Sequence, residues 1–166
     1  MASILIRQKQ NNAEARAYLE KAVDLQPKNL VIQRNLAILY FNTGEKEKAE
    51  QNLRKLIEQG FLMATYVLGY ILLENRTAYK ENAPFELKGR DLIEGFMWMH
   101  IAQHFCQKGP YCNEVWGKPE IIKHYKKFKD VLNAQQVDMA IKKANIWIAQ
   151  HPNHFKTWKV CRGIKK

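Results

Sequence analysis

Apolar residues recur at every third or fourth position through residues 30–60, and this spacing predicts two amphipathic helices. The apolar faces of the two helices consist of Leu30, Leu36, Ala37 and Tyr40, and of Ala49, Leu53, Leu56 and Ile57. Thr43 and Gly44 separate the helices, and glycine accepts the positive φ that ends a helix. Because the connection is so short, the two helices must lie antiparallel as a helical hairpin.

This hairpin resembles a tetratricopeptide repeat at the positions that define that family. The family places large, small and aromatic residues in its first helix, a glycine in the turn, and small and large residues in its second helix. The matching residues are Leu36, Ala37, Tyr40, Gly44, Ala49, Leu53 and Leu56. Such a hairpin cannot bury its apolar faces alone, so the resemblance implies further repeats on either side.

Weaker versions of the repeat pattern flank the hairpin. Residues 14–27 match a second helix with its terminal proline, whereas residues 1–12 leave room only for a shortened first helix. After the hairpin, the chain resembles a SEL-like repeat, the slightly longer relative of the family, with one helix around residues 64–70 and its partner over residues 91–108. A polar insertion over residues 75–90 replaces the short loop that this family uses.

The last third of the chain predicts two more helices. Residues 119–132 have helical spacing with Pro119 in the first turn. Asn133 and Gln136 form a capping-box pattern for a second helix, which ends before Pro152. The end of this helix is similar to those that close SEL-like proteins, and a solenoid needs such a cap because its last apolar face would otherwise be exposed.

The resemblance therefore implies an all-α fold, an α-solenoid with a right-handed superhelix of antiparallel helix pairs. We expect helical repeats over residues 1–109 and a basic helical cap over residues 110–166, packed on the same solenoid. The chain from His154 onward is expected to be a short, partly disordered tail.

The net charge of +11 is concentrated at the C-terminal end. Residues 1–117 hold 15 basic and 13 acidic side chains, a net +2, whereas residues 118–166 hold 12 and 3, a net +9. This asymmetry predicts an acidic partner, a nucleic acid or a membrane surface, or else a solvated basic face without a partner. The candidate basic surface consists of Lys123, Lys126, Lys127, Lys129, Lys142, Lys143, Lys156, Lys159 and Arg162.

In stacked helical hairpins, the first helix of each pair lines a concave groove that receives peptides or helices. The candidate groove residues are Arg34, Ile38, Phe41, Asn42, Tyr66, Tyr70 and Glu74. Arg34 would pair with a carboxylate of the partner, whereas Ile38 and Tyr70 are better explained by packing between helices. The predicted function is a protein–protein interaction module or adaptor, and the alternative is nucleic-acid or acidic-surface binding through the basic C-terminal third.

Residues that could carry out chemistry are few. His100 and His104 have the spacing of metal ligands, but Ile101 follows His100, where a zincin motif needs Glu, and both rings are expected on the polar side of their helix. A surface histidine pair is therefore favoured over a metal site. Because the chain also lacks a glycine-rich phosphate loop and a nucleophile elbow, we expect no enzymatic activity and no cofactor.

The cysteine content favours reduced thiols, because three cysteines are too few for a disulfide framework. Cys106 and Cys112 flank a turn and would pair if the chain were exported. No apolar run is long enough to span a membrane, and the first residues are too short an apolar stretch for a secretory signal. The expected location is the cytoplasm, or the periplasm or exterior if a signal peptide has been removed, and the oligomeric state is left open.

Overall fold

The protein is all-helical over the residues that the computed structural model describes, which are 12–74, 85–108 and 118–155. These residues form seven helices and no strand, and the helices pack in adjacent pairs. The helices are α1 (Asn12–Leu25), α2 (Leu30–Asn42), α3 (Lys46–Glu58), α4 (Leu62–Glu74), α5 (Phe85–Lys108), α6 (Lys118–Lys129) and α7 (Ala134–Gln150). The predicted all-α fold class is confirmed, and the paired helices are consistent with a tetratricopeptide-type solenoid.

The chain divides into two compact units between Ala64 and Thr65. Unit 1 contains α1, α2, α3 and the first residues of α4, and unit 2 contains the rest of α4 together with α5, α6 and α7. The predicted boundary at residue 109 falls in a segment outside the described residues and stays a prediction.

Unit 1 is built on the predicted hairpin of α2 and α3. Asn29 caps α2, because its side-chain Oδ1 accepts a hydrogen bond from the Ile32 backbone N–H at 3.3 Å. Gly44 has a φ of +90°, a conformation that glycine adopts without strain, so the chain can reverse between the helices. The side chains buried in the hairpin are Leu36, Ala37 and Leu39 of α2 and Ala49, Leu53, Leu56 and Ile57 of α3.

A polar network joins α1 to the turn between α2 and α3. Arg16 donates from Nε to Glu20 at 2.7 Å and from Nη1 to Glu45 at 2.6 Å, and the Tyr40 hydroxyl donates to Glu20 at 3.2 Å. These groups are partly exposed, so the network orients α1 more than it stabilises the fold. The shortened helix predicted within residues 1–12 lies almost wholly outside the described residues.

Unit 2 is organised around a close crossing of α4 and α5. A β-carbon built on Gly69 would lie 2.7 Å from the Gly95 carbonyl oxygen and 2.9 Å from the Met99 backbone nitrogen, so the two helices touch backbone to backbone. The buried core beside this crossing consists of Leu73, Phe96, Met99, Phe128, Leu132 and Ala140.

The polar insertion is shorter than the sequence predicts. Helix α5 begins at Phe85, so the loop assignment of residues 75–90 is wrong from Phe85 onward. The stretch after Pro84 contains residues that favour helices, and a proline is compatible with a helix start. Residues 75–84 lie outside the described residues.

Helices α6 and α7 pack on α5, and their role as a cap of the solenoid stays a prediction. The predicted capping box at the start of α7 is confirmed, because Asn133 Oδ1 accepts from the Gln136 N–H at 2.8 Å and the Gln136 side chain accepts from the Asn133 N–H at 3.1 Å. Helix α7 ends at Gln150 with His151 as its C-cap. Helix α6 contains Pro119 in its first turn and ends at Lys129, three residues earlier than predicted.

The beginning of the predicted disordered tail is ordered. Phe155 is buried, and its ring contacts Phe105 edge-on at 4.9 Å and stacks on Trp147 at 5.7 Å between centroids. Aromatic packing holds Phe155 in place, so the predicted disorder does not extend to His154 and Phe155. Residues 156–166 lie outside the described residues.

Candidate functional site

One side of α2 lies opposite the side chains that are buried in the hairpin. We call this side the α2 stripe, which consists of Arg34, Ile38, Phe41 and Asn42. These residues are four, three and one positions apart and therefore lie on the same side of the helix. The first three are partly exposed and Asn42 is exposed, whereas Leu36 and Leu39 on the opposite side are buried. The stripe therefore retains accessible surface within unit 1.

Arg34 is a partly desolvated cation. Its Nε and Nη2 both donate to Asn35 Oδ1, at 3.3 and 2.9 Å, and its Cζ lies 5.9 Å from the centroid of the fully buried Phe61 ring. No carboxylate among the described residues pairs with it. Because burial removes water from the guanidinium, the pKa of Arg34 is lowered from its ordinary value.

The surroundings of Arg34 favour an additional anion. A cation that loses hydration without gaining a counter-ion is destabilised, and a carboxylate would offset that cost. Asn35 accepts hydrogen bonds from Nε and Nη2 only. The guanidinium has five N–H donors and can bind a carboxylate through two parallel hydrogen bonds. Ile38 and Phe41, one and two turns further along α2, place apolar surface beside this charge.

The contact between Arg34 and Asn35 could not be predicted from the sequence. Asn35 is adjacent to Arg34, and helical periodicity does not predict contact between adjacent residues. The packing of Phe61 against the preceding helices could have been predicted from its position. It follows Gly60, whose φ of +79° turns the chain after α3, and an apolar residue after such a glycine commonly packs back on the preceding structure.

The other three predicted groove residues lie in unit 2 and contact α6. The Tyr66 hydroxyl is 2.6 Å from His124 Nδ1, and the Tyr70 ring meets the Phe128 ring edge-on at 5.9 Å. The remaining residue, Glu74, accepts from Lys127 Nζ at 3.0 Å. These contacts place all three side chains in the packing of unit 2, and their role in binding a partner stays a prediction.

The two histidines with metal-ligand spacing have different surroundings. The predicted polar location is wrong for His100, which is half-buried because α6 covers it, and whose Nδ1 is 2.9 Å from the Tyr125 hydroxyl. Burial lowers the pKa of His100 and, on α6, that of His124. His104 contacts the Phe105 ring edge-on. In residues 12–74, 85–108 and 118–155, no three His, Cys, Asp or Glu side chains are arranged to hold a metal.

The predicted basic surface lies on α6, α7 and the tail. Its described members, all exposed, are Lys123, Lys126, Lys127, Lys129, Lys142 and Lys143. Two of them form ion pairs, Lys127 with Glu74 at 3.0 Å and Lys142 with Asp138 at 2.8 Å. Lys156, Lys159 and Arg162 lie outside the described residues.

The expectation of reduced thiols is wrong for Cys106, which is buried and disulfide-bonded. Cys112 and Cys161 lie outside the described residues. Disulfides persist in oxidising compartments and are rare in the cytoplasm, so this bond does not favour the cytoplasmic location, which stays a prediction. Within the described part of the chain, no helix combines the length and the apolar character needed to cross a bilayer.

Comparison with known families identifies the part of the chain that contains the α2 stripe. A family model described as tetratricopeptide repeat matches residues 7–61. Over these residues the chain is similar to tetratricopeptide repeats. The match includes α1, α2 and α3, so the resemblance predicted from the hairpin is confirmed, whereas the SEL-like resemblance of later residues stays a prediction. No curated protein and no solved structure matches the chain.

Tetratricopeptide repeats imply a protein–protein interaction module. Proteins of this kind are typically non-catalytic scaffolds, and no catalytic domain is found here. The repeat therefore suggests protein partners for this segment.

Proposed function

We propose that the tetratricopeptide segment binds a peptide or helix of a partner protein along the α2 stripe, with a carboxylate of the partner on Arg34. The observation that supports this most directly is the desolvated guanidinium of Arg34, which contacts Asn35 and Phe61 but no described carboxylate. The partner would supply the missing negative charge.

The apolar part of the stripe would provide most of the contact area. Arg34 and Phe41 are seven residues apart, or about 10.5 Å along the helix axis. That distance matches two turns of a partner helix or about three residues of an extended peptide. Phe41 and Ile38 would contact apolar side chains, and exposed Asn42 would hydrogen-bond at the edge of the contact.

The proposed site is restricted to the α2 stripe. Tyr66, Tyr70 and Glu74 already contact α6, so a ligand that reached them would compete with the hydrogen bond to His124 and the ion pair with Lys127. Binding at the stripe requires no such exchange.

A peptide-display selection on the full-length protein tests this function. Peptides selected with the wild-type protein should contain Asp, Glu or a free C-terminal carboxylate near an apolar residue. An Arg34→Gln, Phe41→Ala double variant should bind them at least about 30-fold more weakly, which corresponds to losing about 2 kcal/mol at a buried charged contact.

The matched control carries Lys28→Gln and Tyr18→Ala, which remove an exposed cation and an exposed aromatic ring elsewhere in unit 1. This control should bind the selected peptides as the wild type does. Equal binding by the stripe variant, or a selection that yields no acidic peptides, would contradict the proposed function.

A further inference from the structure

A second surface, independent of the α2 stripe, presents a row of positive charges on α6. Lys123, Lys126 and Lys127 are three and four residues apart and share one side of the helix, with Lys129 on the flank. We call these four exposed residues the α6 lysine face. Neighbouring residues on such a face have β-carbons about 5–6 Å apart, so their ammonium groups act on the same ligand.

The opposite side of α6 fixes the orientation of this face. Ile121 and Phe128 are buried in unit 2. Between them, His124 is hydrogen-bonded to Tyr66 of α4 and Tyr125 to His100 of α5. Contacts with two different helices prevent α6 from rotating about its axis, so the side of α6 that carries the lysines has a fixed orientation.

The positive charge of this face is only partly neutralised. Lys127 pairs with Glu74. Two more carboxylates lie near the face, because Glu120 precedes Lys123 by three positions and exposed Asp130 follows Lys126 and Lys127 by four and three. Among the described residues, no ion pair joins them to Lys123, Lys126 or Lys129. The helix dipole explains basic residues in the last turn of α6, where three of the four lysines lie. Lys123 lies outside that turn, and like charges three or four positions apart repel each other. A polyanion would relieve this repulsion.

The composition of the face favours nucleic acid over an acidic protein. Protein–protein interfaces have an apolar centre and are depleted of lysine. The large hydrophobic side chains that are exposed in the described part of unit 2 are Val131, Met139 and Ile146, and none of them is on α6. Phosphate groups along a duplex need only positive charges at suitable intervals, without an apolar anchor or a planar guanidinium.

We propose that the α6 lysine face binds the phosphate backbone of double-stranded nucleic acid without reading its sequence. Because each lysine–phosphate contact releases a counter-ion, log K should fall with log salt by about 0.9 per contact. Three to four contacts predict a slope near −3, so binding weakens about 40-fold or more between about 50 and 200 mM salt.

The experiment is a salt titration of a fluorescently labelled DNA duplex by anisotropy, with the full-length protein. A Lys123→Gln, Lys126→Gln, Lys129→Gln variant should lower the magnitude of the slope by about 2.7 and reduce affinity at about 50 mM salt by at least tenfold. The control removes the same charge from exposed positions in unit 1 through Lys21→Gln, Lys28→Gln and Lys55→Gln, and it should leave the slope unchanged.

Circular dichroism confirms that each variant is helical, and Lys126→Glu alone provides a second, less disruptive variant that should also weaken binding. Absence of duplex binding by the wild-type protein would overturn the proposal. So would equal losses in the two triple variants, which would mean that net charge alone matters. Polyglutamate that binds as tightly as the duplex at equal charge would point to an acidic protein and would also overturn it.

Discussion

The crossing of α4 and α5 makes the effect of one methyl group on stability predictable. In a Gly69→Ala variant, the new β-carbon would lie 2.7 Å from the Gly95 oxygen and 2.9 Å from the Met99 nitrogen. An ordinary contact begins at 3.4 Å, so the two backbones must separate by about 0.7 Å. Neither obstacle can rotate away, because both are main-chain atoms.

Two effects set the size of the loss. Forcing a methyl group into a close-packed site costs about 1–3 kcal/mol, and a gap of 0.5–1 Å forfeits a quarter to a half of each neighbouring dispersion contact. Alanine in a helix recovers about 1 kcal/mol relative to glycine. With backbone atoms as obstacles, we expect the upper end of the cost and a net loss of about 2 kcal/mol, or about 4–8 °C in Tm for a chain of this length.

Urea unfolding followed by circular dichroism measures this loss, and Gly95→Ala is the matched control. A β-carbon on Gly95 meets Leu73 Cγ at 2.9 Å and Leu72 Cβ at 3.0 Å, with the Gly69 oxygen further away at 3.2 Å. Neither leucine atom is the far end of its side chain, so the helices must still shift, but the nearest main-chain atom is 3.2 Å away, against 2.7 Å in Gly69→Ala, and the control should lose less stability. A Gly69→Ala protein as stable as the wild type would show that the helices do not touch backbone to backbone.

Three further predictions concern stability. Burial lowers the pKa of His100 and His124 from 6.5. The stability that their neutral rings provide is therefore complete above about pH 6.5 and is lost as the pH falls through the lowered pKa values. The urea midpoint should drop between about pH 7.5 and 5.5, and it should drop less in a His100→Gln, His124→Gln variant. Asn133→Ala removes the cap of α7 and should cost about 1 kcal/mol in urea unfolding, whereas Asn133→Ser should cost little. Gly44→Ala meets no neighbour but strains a φ of +90°, so it should lower the unfolding free energy by about 1–2 kcal/mol, and Gly44→Asn by less.

Features that depend on neighbouring residues were predictable from the sequence. The turn at Gly44 and the capping box at Asn133 are each determined within a few residues, and the structure confirms both. The cap at Asn29 is local in the same way. The hairpin of α2 and α3 was predictable from its apolar spacing. Two helices joined by a short turn can bury their apolar faces against each other only in an antiparallel arrangement. The family match over residues 7–61 supports the same assignment.

Features that depend on which helices meet were not predictable. Helical periodicity placed His100 on a polar face, but it could not reveal that α6 covers this face and supplies Tyr125. The same holds for Tyr66 and His124, which are separated by 58 residues and have polar atoms 2.6 Å apart. Periodicity identifies the buried side of a helix, but the partner of each polar side chain depends on tertiary packing.

The grouping of the α2 stripe residues on one side of the helix was predictable from the sequence, whereas the surroundings of Arg34 were not, and the binding role of the stripe stays a prediction. The spacing from Arg34 to Asn42 placed four side chains on one face of α2, and their exposure agrees with that placement. The desolvation of Arg34 depends on Asn35 and on Phe61, which lies beyond α3. Without that environment, Arg34 is indistinguishable in the sequence from a solvated surface arginine.

The most direct test of the central claim is the coupling energy between Arg34 and a ligand carboxylate. Isothermal titration of a selected acidic peptide and its Glu→Gln or Asp→Asn analogue, each with wild-type and Arg34→Gln protein, gives a double-mutant cycle. Direct pairing predicts a coupling of at least about 1.5 kcal/mol, because the contact is charged and partly desolvated. A coupling near zero, with the two changes additive, would show that the carboxylate lies elsewhere and would contradict binding at the α2 stripe.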